Sequence, residues 1–364
     1  MKVAIVCDWL TGVGGAERVV LELHKMYPAA PIYTSQYSPS KIDWFKGADV
    51  RTGWLQKLPA GLKKFLPVLR AWYFSRLDLS EYDLVISSSG AEAKAVKTGS
   101  KTKHICYMHA PTHYYWSRYN EYMQNPGFGF LDPLARAGLK ILVRPMRRWD
   151  YKAAQRPDYI IANSNFTKDQ IKKYYSRDSV VIHPPVDIER FKILTKSSIS
   201  RKGFLTAGRQ TPYKRIGLAV AACTNLGLPL TVVGNGPDHQ RLLKMAGPTI
   251  NFVVGASDQE VVKYFQSAEA FIFPGIDDFG IVAVEALAAG TPVIAYKAGG
   301  ALDYVEESKT GLFFDEQSVD NLSGALQKFS PKKYDYSRIQ TTAAQFSPIR
   351  FRMNISRQMD KYLL

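Results

Sequence analysis

The sequence predicts an α/β chain built from two doubly wound parallel sheets, each with its own layer of helices. Three observations carry that expectation. The apolar run 2–10 passes through Thr11-Gly12-Val13-Gly14-Gly15 into an amphipathic helical stretch at about 16–26, and strand, turn and helix in that order open such a sheet. The same alternation restarts near Gly203 after a polar interruption. At 364 residues, 46% of them hydrophobic, the chain exceeds one ordinary core and has apolar content enough for two.

Further strands of the first sheet are expected at 32–35, 84–87, 104–108, 159–162 and 180–183, with helical stretches between several of them. The second sheet is expected from strands at 204–207, 230–233, 250–254, 270–273 and 292–295, spaced by helices at 216–226, 238–246, 258–267 and 280–289. Between them 191–202 is polar and without periodicity, which suits a linker. The expected domains are therefore 1–195 and 196–345, followed by a segment 346–364 whose Phe351, Ile355, Met359 and Tyr362 follow helical spacing and could pack back on the first domain. No internal sequence repeat and no low-complexity segment is apparent.

The charge balance is the strongest compositional feature. Lys and Arg number 48 against 32 Asp and Glu, a net charge of +16 that calls for an anionic partner: a membrane surface, a nucleic acid or a phosphorylated substrate. The three cysteines Cys7, Cys106 and Cys223 lie in apolar runs, which suits reduced buried thiols in the cytoplasm rather than disulfides or a zinc site. Neither a cleavable signal nor a membrane-spanning stretch is expected. From 51 to 76 the chain carries Arg51, Lys57, Lys63, Lys64, Arg70 and Arg76 without a carboxylate, and Leu62, Phe65, Leu66, Leu69, Trp72 and Tyr73 fall on one helical face that Pro67 should kink or divide. Basic residues opposite an aromatic apolar face mark an interfacial membrane helix; the alternative is a core-facing helix with a solvated cationic back. A similar mixture recurs at 128–152.

The motifs with chemistry sit after expected strands. Gly14-Gly15 opens a helix, where free backbone amides suit a phosphate or a hydroxyl, although the dinucleotide fingerprint spacing is missing. Arg209 and Lys214 share one strand-end loop, positive charge of the amount that a pyrophosphate needs to be held and to leave. Gly234-Asn235-Gly236-Pro237 is a second turn permitting close approach. In 274–292, PGIDDFGIVAVEALAAGTP, Asp277 stands before the first helical turn, and Glu285 lies among Ile281, Val282, Val284, Ala286 and Leu287, where burial without a partner is costly and a hydroxyl-rich ligand is a natural partner. His109, followed by Ala110-Pro111 and the cluster His113 to Trp116, offers imidazole and ring faces suited to a sugar.

The segments GGAERVV, HAPTHYYW, ANSNFT, HPPVD, GRQTPYKR, VVGNGP and DDFGIVAVEALAAGTPVIA, in that order over nearly the whole chain, resemble the retaining glycosyltransferases of family 4, which have the GT-B fold of two Rossmann-like domains facing a cleft. The flavour is similar to bacterial GDP-mannose-dependent mannosyltransferases. The resemblance implies that Glu285 holds the ribose hydroxyls and that Asp277, in place of the usual Glu, faces the donor sugar with the amides around Phe279, Gly280 and Ile281. It implies that Arg209 and Lys214 stabilise the diphosphate, that Gly15 approaches diphosphate and acceptor, and that His109 lies near the donor sugar. Gly14 and Gly234 join the expected donor-binding set. The implied activity is transfer of a hexose, mannose from GDP-mannose by preference, to a lipid-linked or polysaccharide acceptor by a peripheral protein at the inner face of the cell membrane, with no metal required. Two other readings stand beside it: a UDP-sugar-dependent transferase acting on a soluble acceptor, and a nucleic-acid-binding protein, against which the positive charge collects beside apolar helical faces and no such motif appears.

Overall fold

The computed structural model describes residues 1–58, 67–124, 126, 129–191 and 200–363. The chain divides into two compact units, one of Met1–Pro185 with Phe351–Leu364 and the other of Val186–Arg350. Most of the expected linker at 191–202 lies outside the described residues.

In the first unit the described strands are β1 (Val3–Cys7), β2 (Ile32–Thr34), β3 (Val50–Thr52), β4 (Leu84–Ser89), β5 (Lys103–Met108), β6 (Tyr159–Ala162) and β7 (Val180–Val181), ordered β3-β2-β1-β4-β5-β6-β7. Every pair is parallel. The winding direction reverses between β1 and β4, and the carboxyl ends of those strands are where an open α/β sheet places its ligands. The helices are α1 (Gly15–Met26), α2 (Pro67–Arg76), α3 (Tyr119–Gln124), α4 (Asp132–Ala153) and α5 (Asn165–Tyr175). Val19, Val20 and Leu23 bury one stripe of α1 in the core. Into the same core the C-terminal helix Pro348–Leu363 sends Phe351, Ile355 and Met359, one per turn. Buried Glu22 fixes that packing, pairing with Lys25 at 2.7 Å and with Arg352 of the C-terminal helix. Tyr362 stacks on Tyr159 with ring centroids 3.7 Å apart.

The described helix α2 starts at Pro67, in a first turn whose N–H groups lack intrahelical partners anyway; Leu62, Phe65 and Leu66 of the expected face lie outside the described residues. One expectation changes. Val50–Thr52, which has no apolar run to announce it, is the edge strand on β2, and an edge needs pairing on one side only.

The second unit has β8 (Phe204–Ala207), β9 (Leu230–Val233), β10 (Ile250–Val253), β11 (Ala270–Phe273), β12 (Val293–Tyr296) and β13 (Gly311–Phe314), all parallel in the order β10-β9-β8-β11-β12-β13. Its helices are α6 (Ile188–Phe191), α7 (Ile216–Leu226), α8 (His239–Met245), α9 (Asp258–Ser267), α10 (Ile281–Ala288), α11 (Val319–Lys328) and α12 (Tyr336–Thr342). Residues 311–314 were not among the expected strands; they extend the sheet beyond β12. Helix α10 buries Ala283, Val284, Ala286, Leu287 and Ala288, so it is apolar almost all round because it is enclosed almost all round. The reversal point of this sheet lies between β8 and β11.

Candidate functional site

In the second unit, the loops leaving β8, β9 and β11 are packed backbone to backbone. Gly234 adopts φ +121, and a Cβ there would stand 2.2 Å from the Gly208 carbonyl oxygen. Fully buried Gln210 ties the same two loops: its Nε2 donates to the Gly234 carbonyl at 2.8 Å, its Oε1 meets His239 Nδ1 at 2.7 Å, and its backbone N–H donates to the Asn235 carbonyl at 2.9 Å. A glutamine beside a basic motif gave no sequence signal of its own; its burial does.

Lys214 ends a short turn, Pro212–Lys214, after β8 and forms an ion pair with Asp277 in the loop after β11. Both side chains are largely buried, and the second carboxylate oxygen, Asp277 Oδ1, is buried without a hydrogen-bond partner among the described residues. Gly275 allows this approach, since a Cβ there would lie 2.9 Å from the Lys214 Cα. Gly280 caps α10 at φ +90. Phe279 is buried with its ring against Tyr304 and Phe346, and Ile281 begins the helix, so its first amides lack intrahelical acceptors. Glu285, one turn further on, is half-buried rather than enclosed, which lowers the burial cost expected of it. Arg209 is exposed and makes no side-chain hydrogen bond or ion pair among the described residues. The structure thus gathers Lys214, Asp277 and the start of α10. Cation, helix amides and an unpartnered carboxylate oxygen can together hold an anion beside a hydroxyl group.

In the first unit, Asp8 follows β1, and its largely buried carboxylate accepts backbone N–H bonds from Gly90 at 2.7 Å, Ala91 at 3.0 Å and Ala93 at 2.7 Å. It shapes the loop after β4, a role that sequence reasoning missed. Its visible signal was a lone carboxylate in the apolar run 2–10. His109 leaves β5 half-buried with Nε2 2.8 Å from Ser88 Oγ, while its carbonyl accepts from Asn163 Nδ2 at 2.8 Å. Gly14 caps α1 and Gly15 is its first residue. The Glu17 carboxylate folds back over this turn, 2.8 Å from where a Gly14 Cβ would be. Burial, with a smaller contribution from the Asp8 charge, pushes its carboxyl from 4.5 up to about 7. The folded chain therefore binds more protons at Glu17 than the unfolded chain between those values, and stability falls as pH rises through that window. Glu17→Gln is expected to flatten that slope in urea midpoints measured from pH 5 to pH 7.

In the aromatic cluster expected to meet a sugar, Tyr115 is buried and His113, Tyr114 and Trp116 are half-buried. Tyr114 donates to Glu92, and Trp116 Nε1 donates to Asp150 Oδ2 at 2.7 Å while its ring stacks on Tyr174. His104 is buried against Ser87 Oγ, and burial together with Arg156 and Arg177 pushes its imidazole down to about 3. These residues brace the first unit. Among the described residues no group of three or more His, Cys, Asp or Glu side chains is placed to hold a metal ion, and no helix is long and apolar enough to cross a membrane.

Two family models match the chain in tandem: Glycosyltransferase Family 4 over residues 13–190 and Glycosyl transferases group 1 over residues 189–346. The chain is 26% identical to human alpha-1,3/1,6-mannosyltransferase ALG2 over 87% of its own length and 85% of that protein's. It is 35% identical to the GDP-mannose-dependent alpha-(1-6)-phosphatidylinositol monomannoside mannosyltransferase of Mycobacterium tuberculosis, over 28% of this chain and 29% of that one. A D-inositol 3-phosphate glycosyltransferase from Nocardioides sp. is 28% identical over 47% of this chain, which spans only 45% of that relative. In fold it matches Anabaena Alr3699/HepE, solved in complex with UDP, with a TM-score of 0.71 at 18% identity over 99% of this chain and 100% of that one. Tandem family matches over parallel sheets of the same order make the chain a member of the family 4 glycosyltransferases, with the GT-B fold.

Proposed function

We propose that this glycosyltransferase moves mannose from GDP-mannose, with retention, to a hydroxyl of a lipid-linked or polysaccharide acceptor, working peripherally at the cytoplasmic face of the membrane. The observation that carries the donor half is the Lys214–Asp277 pair beside the first turn of α10, on the carboxyl side of β8 and β11. The named mannosyltransferase relatives support the choice of sugar and base.

In this reading Lys214 and Arg209 receive the diphosphate, the amides of 279–281 and Asp277 hold the hexose end, and Glu285 accepts from the ribose hydroxyls. Gly234 and Gly208 keep the loops after β8 and β9 in contact. On the first unit, taken by itself, Gly14 and Gly15 offer helix-start amides suited to a phosphate or hydroxyl, and His109, steadied by Ser88, offers an imidazole suited to a sugar hydroxyl. As the bond from C1 to the phosphate oxygen breaks, negative charge grows on the diphosphate, where fixed cations are worth most. The acceptor oxygen bonds C1 on the same face and its proton passes to the departing phosphate oxygen. Asp277, already committed to Lys214, is not required as a nucleophile.

Thermal unfolding with each nucleotide sugar tests the donor. A ligand present at 100 times its Kd stabilises the folded chain by about 2.7 kcal/mol, so GDP-mannose is expected to raise the midpoint clearly and UDP- and ADP-sugars little. A shift with UDP-glucose alone would replace this reading with the UDP-sugar one. The anomeric configuration of the product, read by NMR, tests retention.

A further inference from the structure

We propose that the outer face of α2 and α4 is a docking surface for an anionic lipid bilayer. On α4, Val143, Met146, Asp150 and Ala153 are buried. The opposite side presents Leu134 and Ile141, 70% and 74% exposed and seven residues apart, in line with Arg148 and flanked by exposed Lys140, Arg144 and Lys152. An amphipathic helix of a globular domain normally keeps its outer face polar, so two nearly bare aliphatic side chains among cations need a partner that takes both. Helix α2 repeats the pattern. Its buried side is Arg70, Ala71 and Phe74; its outer side is Val68, Leu69 and Trp72, with the Arg76 guanidinium 4.3 Å over the Trp72 ring and Trp54 edge-on at 5.7 Å.

The two helices pack on each other. Trp149 of α4 donates through Nε1 to Ser75 Oγ of α2 at 3.0 Å, and Ala71 and Met146 share a small apolar cluster. No carboxylate occurs in α2, and in α4 Asp132 lies in the first turn while Asp150 is buried against Lys94. Apolar tips with long cationic side chains beside them match the level of lipid headgroups, where aliphatic groups enter the acyl boundary and ammonium and guanidinium groups meet phosphate. A nucleic acid would use the cations and leave Leu134 and Ile141 without purpose.

Both helices are tied by ion pairs to the loop after β4. Glu92 pairs with Arg70 of α2 at 2.8 Å, and Lys94 pairs with Asp150 of α4 at 2.7 Å. Both belong to the loop after β4 whose amides Asp8 holds, and that strand carries Ser88, the partner of His109. The proposal deepens the acceptor half of the function given above, and rests on it only for the acceptor's being lipid-linked.

Co-sedimentation of the full chain with phosphatidylcholine vesicles, with and without phosphatidylglycerol, tests it. Binding to the mixed vesicles is expected, weakening with salt, with little binding to the neutral ones. Leu134→Ser/Ile141→Ser and, separately, Arg144→Gln/Arg148→Gln are each expected to lower vesicle affinity about tenfold or more while leaving thermal unfolding and the donor-induced shift unchanged. Wild-type protein left in the supernatant at low salt, either double variant binding as wild type does, or binding to an oligonucleotide in place of vesicles would overturn the proposal. Because the donor-induced shift is read in the same samples, failure at the membrane is distinguished from failure of the donor site.

Discussion

Lys214→Ala is expected to lower kcat/KM for sugar transfer by about 10²–10³-fold, the usual consequence of losing one fixed group aimed at charge that develops in the transition state. The cation is held in place before any donor arrives, by Asp277, in loops packed closely enough that Gly275 admits no Cβ. Its position therefore requires no reorganisation when the diphosphate departs. The same substitution has a structural cost, because Asp277 already has one buried oxygen without a partner and would lose the partner of the other. An orphaned polar group of that kind destabilises by about 1–3 kcal/mol.

Lys214→Ala/Asp277→Asn separates the two effects. Removing both charges is expected to recover much of the stability in urea unfolding while transfer stays low. Glu285→Gln provides the contrast. Ribose contacts are made equally in the ground and transition states, so donor KM is expected to rise more than kcat falls. Near-normal kcat/KM in a folded Lys214→Ala protein would move the leaving-group role elsewhere.

What the sequence made legible was set by local pattern. Most strands followed from short apolar runs, and the restart of the alternation near Gly203 marked the second sheet; the reversal points emerge only from the strand order of the folded sheets. The short edge strand Val50–Thr52 escaped because Val-Arg-Thr has no pattern of its own; pairing with β2 makes it a strand. In the candidate site, Lys214, Asp277 and Gly280 were visible because they sit in loops and turns with recognisable spacing, and Glu285 because it is a carboxylate in an apolar helical run. Asp8 and Gln210 were not. Asp8 acts on amides 82 to 85 residues away, and Gln210 on a carbonyl 24 residues away, separations that no window on the sequence connects. The partners of Tyr114 and Trp116 were hidden for the same reason: Glu92 and Asp150 come from other elements and give both rings a bracing role that the sequence did not announce.

Lys94→Met is expected to cost about 3–5 kcal/mol, the range for leaving a buried charge without its counterion. Asp150 is wholly buried and receives Lys94 Nζ at 2.7 Å, Thr112 Oγ1 at 2.9 Å, Trp116 Nε1 at 2.7 Å and Tyr175 OH at 2.6 Å. Three neutral donors remain after the substitution, but none supplies charge. Asp150→Asn added to Lys94→Met removes the stranded charge and keeps a carbonyl oxygen as acceptor, so the double variant is expected to be more stable than the single one, by urea midpoint and by amide exchange in β4 and β5. If the double variant is no better, packing of the lysine stem is what matters, not its charge. The loop that Lys94 anchors also carries Glu92, so the single substitution should loosen α4 and the loop after β4 together. Transfer to a lipid-linked acceptor should then fall further than the donor-induced thermal shift, which depends on residues of the second unit.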